Sequence, residues 1–175
     1  MSDHLTLTQK DLEQDGFSKK PFFHVIVAEV PESHKSSGAP SPYAPPPSCA
    51  ASFHDTALFP SSCRRPPSSG LQCHTKIGYA LYYFGYNSRK GRTVHMDDLY
   101  VMPESRGKGI GKALMSKVAQ LGMAAGCKQL DFIVKDTNTS AIDFYARTGC
   151  FDVTERHGYH LMRCEGEAMQ SLAQP

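Results

Sequence analysis

The chain has no tryptophan and almost no excess of either charge: 19 Lys and Arg against 17 Asp and Glu in 175 residues leave a formal net charge of +2. So mild a balance does not imply nucleic acid or an anionic membrane as the main partner, and any anion is expected to be bound locally. No apolar run approaches the ~20 residues of a membrane span. The start, MSDHLTLTQK, lacks the basic region and apolar core of a secretory signal, so a cytoplasmic location is expected. Cys49, Cys63, Cys73, Cys127, Cys150 and Cys164 form no Cys-x-x-Cys pair and have no histidines at zinc-site spacing. They read as reduced thiols, and no metal is expected. By length the chain is one domain with room for a substantial core.

The ordered elements are legible from their end signals. Thr8 can cap a short helix over 9–14, closed by Gly16. FFHVIVAEV (22–30) is rich in β-branched and aromatic residues and bounded by prolines, a strand pattern. From about 33 to 75 the texture becomes Ser, Pro, Ala and Gly without a period of two or 3.6. Such a segment buries too little apolar surface to offset its ordering entropy and is expected to be disordered. Residues 42–47 read as a Pro-rich linker in preference to an SH3-type ligand. KIGYALYYFGY (76–86) can pair antiparallel with 22–30 if the insert is looped out, because closure cost rises only logarithmically with length. NSRKGR is a turn with Gly91 at positive φ, and TVHMDDLYV (93–101) is a third strand. Ile110, Ala113, Leu114, Val118 and Leu121 give an amphipathic helix over about 109–125. Next come a short strand at 129–135, a helix from an Asn138 or Thr139 cap through Arg147, two closing strands in CFDVT and GYHLMRC, and a brief helix at 167–173.

PESRGKGIGKA (103–113) carries three glycines on alternate positions among basic residues. A Walker loop would need a glycine where Arg106 stands and a hydroxyl where Ala113 stands. The dinucleotide fingerprint Gly-x-Gly-x-x-Gly is satisfied from neither Gly107 nor Gly109. Glycines at a helix start expose unpaired N–H groups and remove side chains that would keep a pyrophosphate at a distance. Arg106, Lys108 and Lys112 add charge, so the stretch reads as an anion site.

RGKGIG (106–111) fits the Arg/Gln-x-x-Gly-x-Gly/Ala pyrophosphate loop of the GCN5-related N-acetyltransferases (GNAT), and DLYVMPESRGKGIG and AIDFYARTG resemble the spermidine/spermine and thialysine N-acetyltransferases among them. The resemblance covers about 7–30 and 75 to the C-terminus. It implies an α/β fold with a mixed central sheet flanked by helices, lacking the usual first strand and helix, with the whole chain forming one domain interrupted by the insert at about 33–75. It also implies acetyl-CoA as co-substrate, a homodimer, and a small diamine, polyamine or thialysine-like acceptor. Carried over residue by residue, Leu99, Tyr100 and Val101 bind the thioester carbonyl and pantetheine arm. Arg106, Gly107, Lys108, Gly109, Ile110, Gly111 and Lys112 bind the pyrophosphate. Asp131, Phe132 and Ile133, then Asn138, Thr139, Ser140 and Ala141, complete the cofactor contacts. Asp97 takes the position of the general base, one methylene shorter than the family's glutamate, and Tyr145 that of the general acid. Asp97, Asp98, Asn87 and His157 fall at acceptor positions. Because consecutive strand residues face opposite sides, Asp97 and Asp98 are expected on different faces unless a bulge intervenes.

The resemblance breaks on the acceptor side. Arg89 replaces a tryptophan, His157 replaces an acid, and the Ser/Pro-rich insert divides a strand pair. The absence of the family's initial strand and helix and the presence of the insert together suggest an alternative or mispredicted transcript product, with retained non-coding sequence between about Ser36 and Cys73. Two further readings therefore stay open: a CoA-binding or dimerising fragment without turnover, and a regulatory domain that holds another phosphate ligand in the loop.

Overall fold

The protein is described by a computed structural model over residues 7–31, 52–55 and 74–174. The Pro-rich run at 42–47 and most of the insert lie outside the described residues. The chain divides into two compact units, Met1–Ile133 and Val134–Pro175. The first contains α1 (Gln9–Phe17), β1 (His24–Pro31), β2 (Ser52–Asp55), β3 (His74–Asn87), β4 (Gly91–Val101), α2 (Ile110–Ala124) and β5 (Leu130–Asp131). The strands form one sheet in the order β2-β1-β3-β4-β5, antiparallel except for the parallel pair β4–β5. This is the expected mixed sheet of an α/β protein.

Local chemistry accounts for the elements. Thr8 and Asp11 form a reciprocal capping box, the Thr8 oxygen accepting from the Asp11 N–H while the Asp11 carboxylate accepts from the Thr8 N–H at 2.9 Å. α1 runs through Gly16 to Phe17 because Gly16 does not take the left-handed conformation that would end a helix; its lack of a side chain serves packing instead, since a Cβ there would lie 2.7 Å from the Phe23 ring. α2 buries Ile110, Leu114, Met115 and Val118 against Ile26 and Ala28 of β1, Ala80 and Tyr82 of β3, and Val94 and Met96 of β4. At its C-terminal end the Arg92 guanidinium donates to the Ala125 carbonyl at 3.0 Å, satisfying an orphan acceptor of the last turn.

One strand arises where none was expected. Ser52–Asp55, inside the segment read as structureless, pairs antiparallel with β1 over Ile26↔Asp55 to Glu29↔Ser52. Its signal is not local periodicity but the unpaired N–H and C=O groups of the β1 edge, which offer any extended segment a partner.

β4 carries an irregularity that matters for the site. Its register with β3 shifts between Leu81 and Tyr82, so that Leu81 pairs with Asp98 and Tyr82 with Met96, and Asp97 is the extra residue of a bulge. Val94 and Met96 face α2 and are 2% exposed, yet Asp98 and Tyr100, also even-numbered, stand exposed on the other face.

The second unit holds α3 (Thr139–Arg147), α4 (Val153–His157) and α5 (Glu167–Leu172). Asn138 caps α3, its side-chain oxygen accepting from the Ala141 N–H. Here the two expected closing strands are corrected. The Asp152 carboxylate accepts from the Thr154 N–H at 2.7 Å and starts a helical turn that ends at Gly158, φ +67°, and residues 159–165 carry no strand. A short polar side chain bonding its own backbone competes with a ladder. Leu161 and Met162, 71% and 85% exposed, have no packed face to hold them extended. The strand expected at 129–135 is likewise reduced to Leu130–Asp131.

Candidate active site

The parallel pairing of β4 with β5 covers only Val94↔Leu130 and His95↔Asp131. Beyond it, residues 96–101 keep β3 as their strand partner but run past the end of β5. The Met102 N–H donates to the Ile77 carbonyl of β3 at 2.9 Å. Alternation along the ladder then turns the N–H groups of Leu99 and Val101 toward the open edge. The Val101 carbonyl, turned the same way, accepts the Arg106 Nε at 2.9 Å.

Arg106 thereby ties the open edge to the glycine stretch. After a single 3-10 turn, Pro103–Ser105, the chain passes through Gly107 at φ +74° and Gly109 at φ +80°. Both conformations disfavour any side chain, and a Cβ at either position would meet nothing within 4 Å. The backbone is therefore bare and approachable at these two positions. Gly109 is the N-cap of α2, and the first helical bond is Ala113 N–H to the Gly109 carbonyl at 3.0 Å. The N–H groups of Ile110, Gly111 and Lys112 consequently have no partner within the helix. Lys108 folds back, its Nζ donating to the Glu104 carbonyl at 3.0 Å. A cradle of bare backbone, a helix N-terminus and three cations fit a pyrophosphate.

Asp97 and Asp98 are both exposed, and the bulge decides their arrangement. Because β3 is regular, Tyr79, Leu81 and Tyr83 share one face, opposite the buried Ala80 and Tyr82. Asp98, Tyr100 and His95 are their partners and lie on that face. The Tyr79 hydroxyl donates to Asp98 Oδ2 at 2.6 Å. Partial burial, reinforced by this carboxylate, pushes the Tyr79 hydroxyl up to about 12. Tyr83 stacks on His95 with ring centroids 4.9 Å apart, and its hydroxyl is raised first by burial and then by the charges of Asp97 and Asp131. The structure thus brings Asp97, Asp98 and the Asp131 end of β5 to one face, with two tyrosines that sequence reasoning passed over. Their signal was there: in ALYYFGY, the residues that alternate with the buried Ala80 and Tyr82 must face the acids across the ladder. An open, mainly apolar hollow of about 440 Å³ on the same face is walled by Val25, Val27, Lys76, Tyr79, Tyr100 and Met102.

Other expected site residues are placed as follows. The Asn87 side-chain oxygen accepts from the N–H groups of Arg89 and Lys90 and so builds the β3–β4 turn. Phe132 is half-buried just after β5, and Ile133 is 61% exposed. In the second unit, Asn138 to Ala141 form the start of α3. The half-buried Tyr145 lies on that helix with its ring 5.2 Å from Phe144. His157 ends α4 between the rings of Phe151 and Tyr159. Among the described residues no group of three His, Cys, Asp or Glu side chains could hold a metal ion, and no helix is long and apolar enough to cross a membrane.

The acetyltransferase (GNAT) family profile matches residues 43–150. The chain is 36% identical over 173 residues to thialysine N-epsilon-acetyltransferase of Sus scrofa, covering 99% of this chain and 82% of that protein. The enzyme of the same name in Mus musculus is 34% identical over 174 residues with the same coverage. Spermidine/spermine N(1)-acetyltransferase-like protein 1 of Homo sapiens is 27% identical over 173 residues, covering 99% of this chain but 20% of that protein. Among solved structures, an integron cassette protein from the mobile metagenome of V. cholerae matches with a TM-score of 0.51 and 30% identity, over 58% of this chain and 61% of that one. A profile matching more than half of the chain and relatives matching along nearly its whole length agree with the glycine cradle at the open sheet edge: the chain belongs to the GNAT acetyltransferase family and is an N-acetyltransferase.

Proposed function

We propose that the protein transfers the acetyl group of acetyl-CoA to a primary amine of a small diamine, polyamine or thialysine-like acceptor. The observation that carries this reading is the glycine cradle tied by Arg106 to a strand edge whose next N–H groups, those of Leu99 and Val101, have no strand beside them among the described residues. When bound, acetyl-CoA supplies an acetyl group activated as a thioester. Gly107, Gly109 and the N–H groups of Ile110, Gly111 and Lys112 hold its pyrophosphate, with charge from Arg106, Lys108 and Lys112. The N–H groups of Leu99 and Val101, flanking Tyr100, hold the acyl carbonyl and the pantetheine arm and stabilise charge that builds on the oxygen. Asp131, Phe132 and Ile133, with Asn138, Thr139, Ser140 and Ala141, add cofactor contacts.

An aliphatic ammonium with a pKa of about 10.4 is almost wholly protonated at neutral pH. Asp97, exposed on its bulge, takes that proton through a water, and Asp98, Asn87 and His157 receive the acceptor. The amine nitrogen bonds to the acyl carbon as the carbon–sulfur bond breaks; the Tyr145 hydroxyl gives its proton to the departing sulfur, and the second proton that the nitrogen sheds on becoming an amide passes through water to restore the tyrosine. The names of the pig and mouse relatives support thialysine as an acceptor to test, and that of the human relative supports polyamines. We take the whole chain as one cytoplasmic N-acetyltransferase domain that works as a homodimer, without nucleic-acid or membrane partners.

The test is to incubate the purified chain with acetyl-CoA and spermidine, spermine, putrescine or thialysine, following CoA release and measuring acetyl-CoA binding directly. We expect turnover, reduced by about 10²–10⁴-fold in Tyr145→Phe as for loss of a general acid. Binding without turnover would replace this reading with a CoA-binding or dimerising fragment, and no binding would remove both.

A further inference from the structure

Asp98 is exposed, but its carboxylate is held by a hydrogen bond. The Tyr79 hydroxyl reaches it diagonally across the ladder at 2.6 Å, the length of a charge-assisted O–H···O bond. Partial burial keeps the proton on Tyr79 up to about pH 12, so the donor persists over the whole range in which an amine could be acetylated. The other side of the same residue is apolar. Its ring lies 5.9 Å from that of Tyr100, and the two form a wall of the 440 Å³ hollow with Val25, Val27 and Met102, while Lys76 places a cation on the rim that an acceptor's ammonium must avoid by seating at Asp98. A fixed negative point beside a hydrocarbon surface complements one chemical shape, an ammonium group on an unbranched aliphatic chain. Neither part does so alone: a solvated carboxylate selects no chain, and an apolar hollow selects no charge.

We propose that Tyr79 is the positioning residue of the acceptor site, its hydroxyl fixing Asp98 as the seat of an ammonium group and its ring forming the surface along which the aliphatic chain lies. This rests on the acetyl-transfer reading above and specifies its acceptor side.

The experiment measures KM and kcat for 1,3-diaminopropane, putrescine and cadaverine in wild type, Tyr79→Phe, Asp98→Asn and the double variant, with acetyl-CoA affinity as the folding control. Tyr79→Phe keeps the ring and removes only the hydroxyl. We expect it to raise KM by about three- to tenfold, because Asp98 keeps its charge but must be ordered by the acceptor itself, at the cost of about one immobilised side chain, while kcat and acetyl-CoA affinity hold. Because Tyr79 acts through Asp98, the double variant should exceed Asp98→Asn by no more than about twofold. In wild type KM should fall by about fourfold for each methylene the hollow takes up. An unchanged KM in Tyr79→Phe, additive effects in the double variant, or a KM independent of chain length would each overturn the proposal. If wild type turns over no amine, acetyl transfer fails as the reading. Putrescine titrated against the protein by NMR then judges Tyr79 separately: a shift of the Asp98 amide that Tyr79→Phe abolishes supports the proposal, and its absence in wild type overturns it.

Discussion

Replacing Gly109 by alanine should weaken the protein and its hold on CoA by two separable routes. Gly109 sits at φ +80° and ψ 0° as the N-cap of α2, and nothing lies within 4 Å of the position a Cβ would take. There is no clash to relieve, so the whole penalty is conformational, about 1–2 kcal/mol for an L-residue held in the left-handed region. For a chain of this size each kcal/mol lowers Tm by about 2–4 °C, which predicts a fall of roughly 2–8 °C in the ligand-free protein. If the chain instead relaxes out of that region, the peptide between Gly109 and Ile110 rotates and its N–H turns away from the cradle. Losing one charge-assisted bond to a phosphate should then raise the calorimetric Kd for CoA about ten- to hundredfold. Two neighbours serve as comparators. Asn tolerates the left-handed region, so Gly109→Asn should recover most of the Tm. Gly111 is already helical, and its Cβ would meet Val101 Cγ2 at an ordinary 3.8 Å. Gly111→Ala should therefore gain up to about 1 kcal/mol of helix propensity and leave Kd within about threefold. Wild-type Tm and Kd in Gly109→Ala, or greater damage from Gly111→Ala, would refute the reasoning.

Close packing and pH supply two more tests. A Cβ on Gly122 would stand 2.6 Å from Val94 Cγ1, so Gly122→Ala should cost about 1–3 kcal/mol of overpacking despite its helix propensity, and adding Val94→Ala should recover part of that loss in a denaturation midpoint. Because the folded Tyr79 hydroxyl titrates at about 12, above the ordinary tyrosine value of about 10, its contribution to stability should be full below pH 10 and lost between about pH 10 and 12. Alkaline melting curves of Tyr79→Phe should lack that component, and identical curves would remove it.

What could be read from the sequence was what local chemistry dictates. Thr8 and Asn138 marked helix starts, Gly91 the hairpin turn, the stripe from Ile110 to Val118 the buried face of α2, and the alternating glycines the left-handed turns that lead into it. What escaped depended on partners distant in the chain. Ser52–Asp55 is a strand only because the β1 edge lies beside it. The residues after Asp131 leave the sheet because the ladder to β4 ends at His95, and 150–164 lack strands although their composition favours them. For Tyr79 a spacing rule was available but unused, since the residue belongs to the site through Asp98, nineteen positions away.

The bulge at Asp97 has a consequence for how β4 can change. A strand keeps strict two-stroke time, and one inserted residue shifts its phase by half a cycle. At Val94 and Met96 the even beats are buried beneath α2, whereas from Asp98 onward they are open and the half-buried Leu99 and Val101 take the inward beat opposite Ala80 and Gly78. The apolar rhythm of the strand, Val94, Met96, Leu99, Val101, records the skipped beat as one interval of three between intervals of two. Of two identical neighbouring acids, Asp97 therefore serves as spacing as well as charge. Substituting either removes a charge, but deleting either would put the strand back in phase and carry Tyr100 toward α2 and Val101 into water. β4 should accept exchanges at these two positions far more readily than any change in their number.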